Sequence, residues 1–190
     1  MTHVWGVLTG LALSVTPGFS QVACQAPQPE PRLPLVVGAF RLVDSTKSDS
    51  VTGSGFSYAD TAGTRVEVFL YSVPATRRSE SASTSLEREA RAFLLSLQHA
   101  QADRQEPYQV IVDTVRGVET DAGSIPVRVI VFVFERPEGT FVSFAHLLVL
   151  AGHYLNVRLT LPTQVWRNSS APNFALDLVK CLHSRERKPL

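Results

Sequence analysis

The run from Thr140 to Leu161, "TFVSFAHLLVLAGHYLNVRLTL", leaves the chain few choices. On both sides of Ala151-Gly152 apolar residues recur at every second position, the period of a strand rather than a helix. Gly152 can take the positive φ of a tight reversal, so the run predicts a hairpin. Leu150 then lies opposite His153, and His146 opposite Val157. One face carries Phe144, Leu148, Leu155 and Val157 together with both histidines. The other carries Ala145, Leu147, Val149, Tyr154, Asn156 and Arg158. Slipping by one residue would mix Asn156 and Arg158 into the apolar set, so burial selects the unslipped register.

Two histidines on one face raise the question of a site. They stand four residues apart along the ladder, roughly 14 Å at about 3.4 Å per residue. Zinc–nitrogen bonds are about 2.0–2.1 Å, so the pair cannot share one ion. His153 sits half wet at the turn. His146 is mid-strand and reads as a sheet histidine. Both are kept as pocket candidates, the residues a hydrolase-type enzyme of unrecognised class would use. Tyr154 and Arg158 read as a partly solvated strand pattern.

Other elements follow from the same period counting. Leu35 to Asp44 reads as a strand. Phe56 to Ala59 and Arg65 to Val73 read as a hairpin around Asp60 to Gly63. Leu86, Ala90, Phe93, Leu94 and Leu97 keep helical spacing, and Thr84 with Glu87 has the spacing of a capping box. Tyr108 to Glu119 alternates, "DAGSIP" reads as a turn, and Val127 to Glu135 is apolar on both faces, as a central strand would be. "RPEG" is a tight turn. "APNFALDLVKCL" closes the chain as a helix with Phe174, Leu178, Cys181 and Leu182 on one stripe. The expected fold class is α+β, a mostly antiparallel sheet of about six strands with two packing helices, in the order β-β-β-α-β-β-β-β-α.

The amino-terminal end carries an address. The first charged side chain is Glu30, and Val4 to Val15 is an apolar block broken by Pro17 and Gly18. That length suits a secretory h-region rather than a membrane span of about twenty residues. Residues 1–23 are therefore expected to be a signal peptide, 24–34 a Pro-rich spacer, 35–184 one domain and 185–190 a polar tail. Export would place the protein in the periplasm, anchored at the outer membrane, or secreted. The two cysteines leave three outcomes. "QVAC" partly matches a lipobox, which would tether the chain to the membrane through a lipidated Cys24. An oxidising compartment would permit a disulfide between Cys24 and Cys181. Otherwise Cys24 is unpaired or lost with the leader.

Catalytic and cofactor motifs are missing. "TGSGFS" orders its residues wrongly for a nucleophile elbow around Ser54. No Walker A, G-x-G-x-x-G, C-x-x-C or H-E-x-x-H sequence occurs, so neither cofactor nor metal is expected. Asn168 heads a formal glycosylation sequon. A formal net charge of +1 provides no electrostatic footprint for nucleic acid, and the tail's Arg185, Arg187 and Lys188 fall short of a polybasic cluster.

Taken in order, the hairpin through "TRVEVFLY", the helix "LEREARAFLLSL", the hairpin "HLLVLAGHYLNVRLTLP" and the helix "NFALDLVKCL" resemble the PsbP-like domains, over about three quarters of the chain. Those domains are exported or lumenal binding and assembly proteins. The resemblance lies in element order and carries no site residue across. It implies a binding or assembly role more than catalysis. The leader with its Pro-rich spacer, and a compact domain without a catalytic constellation, lead to the expectation of a non-catalytic exported bacterial envelope module that binds a partner protein or a small apolar ligand.

Overall fold

A glycine decides how the sheet begins. Gly38 takes φ 57° and splits the expected first strand in two. The result is a short β1 (Val36–Val37) paired antiparallel with β2 (Phe40–Lys47). The strands that follow are β3 (Ser54–Ala59), β4 (Arg65–Ser72), β5 (Tyr108–Thr120), β6 (Gly123–Arg136), β7 (Gly139–Leu150) and β8 (His153–Pro162). Helix α1 (Ala82–Arg104) separates β4 from β5, and α2 (Phe174–His183) follows β8. The sheet thus has eight strands rather than about six, all antiparallel, in spatial order β1-β2-β3-β4-β8-β7-β6-β5. The element order is β-β-β-β-α-β-β-β-β-α, which corrects the expected one by the strand that Gly38 creates.

The structure is a computed structural model describing residues 33–47, 53–104, 106–121, 123–166, 169 and 171–183. The leader, Cys24, most of the spacer, Asn168 and the 185–190 tail lie outside the described residues.

Two further local expectations are corrected. Pro126 does not end a turn but sits inside β6, opposite Gly117. It lies beyond the last β6–β7 pair, Arg128 with Leu147, so its missing N–H falls where β6 has no β7 neighbour. The cap of α1 is Ser81 rather than Thr84: the Ser81 Oγ accepts the Thr84 N–H at 3.1 Å. Glu87 is thereby freed from the cap and pairs with Arg128 on β6. The β3–β4 turn forms as its residues require, with Asp60 Oδ1 accepting the N–H groups of Ala62 and Thr64.

Each face of the sheet has its own helix. Under α2 lies the larger core, in which Tyr58 and Phe174 meet at 5.0 Å between ring centroids and Phe40 and Phe174 at 5.2 Å. Tyr58 is fully buried, and its hydroxyl donates to the Pro34 carbonyl at 2.7 Å, tying the incoming chain to this core. Under α1 lies a smaller cluster built on Phe93, Ile130, Phe132, Ala145 and Leu147. Helix α1 covers β6 and β7 but leaves part of β4 and β8 on the same face uncovered. That unevenness positions the site.

Candidate functional site

The hairpin of β7 and β8 has the expected register, with Leu150 opposite His153 and His146 opposite Val157. Ala151 and Gly152 both take positive φ, 48° and 76°, as a two-residue primed turn demands. The two histidines therefore lie on the α2 side of the sheet, separated along the ladder as the register dictates. His153 stays at the turn, its Nδ1 3.1 Å from the Ala151 carbonyl oxygen. His146 is 7% exposed and sits between Val129 on β6 and Val157 on β8. Burial, with a smaller contribution from the Arg116 charge, holds its pKa down at about 4. Among the described residues no hydroxyl, thiol or carboxylate hydrogen-bonds to His146, and no group of three His, Cys, Asp or Glu side chains could hold a metal ion. The histidines are two separate features of the fold.

The opposite face holds a groove. Its floor is Phe132 and Phe134 of β6 with Ser143 of β7, one wall is Phe93 and Leu97 of α1, and Arg158 of β8 closes the other side. Its volume is about 450 Å³. A side recess of about 260 Å³ continues past Arg158 and Phe93 towards Tyr71 and Glu89. Both volumes arise because α1 packs on β6 and β7 while β4 and β8 run on beyond it.

Arg158 is the distinctive group. Its guanidinium lies 5.0 Å from the Phe69 ring centroid and 4.9 Å from that of Phe93, sandwiched between sheet and helix. Desolvation pulls its pKa below the usual arginine range, and the attractions of Tyr71, Glu67 and Glu89 do not make good the loss. Glu67 stands opposite Arg158 in the ladder but forms no ion pair with it, and Glu89 accepts the Tyr71 hydroxyl hydrogen bond. At the far end Arg136 stacks on Phe134 and Phe141 and pairs with Glu106 at 3.4 Å.

The reading of Tyr154 and Arg158 as a partly solvated strand pattern holds for Arg158 and is corrected for Tyr154. Tyr154 is buried and Arg158 is half-buried under α1. A signal was present in the sequence. Arg158 falls opposite Ala145, two residues from the Asn156–Leu147 rung and so on the same face, and Ala145 with Leu147 marks a covered face. Cys181, on the buried stripe of α2, is fully buried and disulfide-bonded.

No family model and no curated protein matches this sequence. A solved structure does, "Solution Structure of Cyanobacterial PsbP (CyanoP) from Synechocystis sp. PCC 6803", with a TM-score of 0.53 over 86% of this chain and 95% of that one. The fold is PsbP-like. At 12% identity the likeness shows the fold and nothing finer.

Proposed function

We propose that this chain is an exported bacterial envelope protein acting as a non-catalytic binding module, and that the groove between α1 and the sheet is where it binds. The observation that carries the reading is the groove itself, a concavity of about 450 Å³ with Phe93, Phe132 and Phe134 along it and three arginines, Arg65, Arg136 and Arg158, in its lining, of which Arg158 is packed against Phe93. Small-molecule sites span about 300–1,000 Å³ and combine apolar walls with a few placed polar groups. A small, largely apolar ligand fits this description. Two features support export: the apolar block Val4 to Val15 ahead of the first charge, and the disulfide on Cys181, which suits an oxidising compartment. The PsbP-like fold agrees with an accessory binding role.

The hydrolase reading, with His146 or His153 as its working residue, has less support. General acid–base work needs a partner within hydrogen-bond reach, and His146 is packed between two valines. Assembly with a partner protein is favoured by a different observation. Edge strand β5 exposes Val110, Ile111 and Val115, and an apolar edge is a template for strand pairing.

The test uses the protein purified from its own envelope. Native mass spectrometry of the wild type should show a bound small molecule, and Ala100→Trp, which fills the groove, should lose it. A ligand-free wild type, or a ligand retained by a folded A100W protein, would overturn the groove as the binding site.

A further inference from the structure

The cations of the α1 face differ in burial and in whether a carboxylate meets them; Arg65, on the exposed rim of the groove, forms no ion pair among the described residues and stands in solvent. Arg128 is held by Asp113 and Glu87, Arg136 by Glu106, and Arg88 by Glu80. Arg158 is the most deeply placed of the groove's arginines, yet among the described residues no carboxylate reaches ion-pairing distance of it. Its one hydrogen bond among those residues is a long one, Nε to Asn156 Oδ1 at 3.4 Å. A guanidinium has five N–H donors in a planar fork, so most of that fork is unspent on the protein. The rings of Phe69 and Phe93 lie 5.0 Å and 4.9 Å from the guanidinium carbon, contacts that hold the cation without using its N–H donors as conventional hydrogen bonds.

From this geometry, and resting on the groove as the binding site, we propose that the ligand is a small amphipathic carboxylate, its acid group on the Arg158 fork and its apolar body along Phe93, Leu97 and Phe132. The planar fork matches a carboxylate bidentately. Desolvation has already weakened the cation's hold on its proton, and an incoming anion reverses that imbalance. The chemistry of the far end suits an apolar tail rather than a second anion. There Arg136 is already neutralised by Glu106, and Phe134 and Tyr108 supply ring faces. Glu67 and Glu89 near Arg158 disfavour a polyanion, so a single negative charge is the specific requirement.

The probe is 4-phenylbutyrate, with the neutral 4-phenylbutanamide as its matched control, titrated into the full folded protein by calorimetry and amide NMR. The acid should bind with shifts at Phe93 and Phe132, and the amide should bind about 10- to 100-fold more weakly, the worth of hydrogen bonds to a charged group. Arg158→Gln should bring acid affinity down to that of the amide and leave the amide unchanged. The acid–amide comparison on the wild type needs no variant, so it stands if R158Q folds poorly. Equal binding of acid and amide, abolished in both cases by A100W, would overturn the carboxylate while the groove reading survives. If neither probe binds, the carboxylate proposal is overturned, and the native mass spectrum then decides the groove separately.

Discussion

Acidification should weaken this fold through one side chain. His146 takes up a proton at an ordinary value of 6.5 when unfolded but only at about 4 when folded. Between those values the unfolded chain binds the proton and the native one does not. Stability is therefore fully present above the unfolded pKa and falls as pH drops towards the folded one. Integrating the two titrations gives a loss of about 2 kcal/mol between about pH 7.5 and about pH 5. The physical source is burial: the imidazole is 7% exposed between Val129 and Val157, with the Arg116 charge adding repulsion of the protonated form. Urea unfolding of wild type and His146→Leu at both pH values isolates the term. Asp177, whose carboxyl is pushed up by burial, titrates in both proteins and cancels in the comparison. The wild type should lose about 2 kcal/mol more than H146L over that range. Equal losses would refute the argument and mean that native His146 accepts a proton freely.

Three further outcomes follow from the same geometry. Ala151 is a non-glycine residue at φ 48°, and Ala151→Asn should raise stability by about 0.5–1 kcal/mol in thermal unfolding, since asparagine tolerates that region better. Tyr58→Phe removes the donor to the buried Pro34 carbonyl and should cost about 1–2 kcal/mol in urea unfolding, a loss absent if that carbonyl is rehydrated. Digestion without reductant should link the Cys181 peptide to the one containing Cys24, the chain's other cysteine; a thioether lipid on Cys24 would consume the same sulfur, so diacylglycerol in the intact mass would sink the prediction.

Alternation by itself set the β7–β8 hairpin. Its register was legible because one face had to be apolar, and a slip would have buried Asn156 and Arg158 on the α2 side. The Asp60 turn and the two helices were equally local, each written in a side-chain oxygen, a glycine or a 3.6-residue stripe. The extra strand was not legible, because Leu35 to Asp44 is apolar enough for one strand and only the φ of Gly38 breaks it. Nor was the cap, since Ser81 and Thr84 are both good capping residues and tertiary pairing of Glu87 with Arg128 decided between them.

The site belongs to the same second class. Period two says which residues share a face, but nothing in it says how far a helix will cover that face. His146 looked conspicuous along the chain and proved to be packed in the sheet. Arg158 looked ordinary and became the most deeply placed of the groove's arginines, because α1 brings Phe93 over a strand more than sixty residues away in sequence. Local patterning determined the strands, their register and their faces. Only the placement of α1, a long-range packing outcome, determined which polar side chain on those faces would be desolvated.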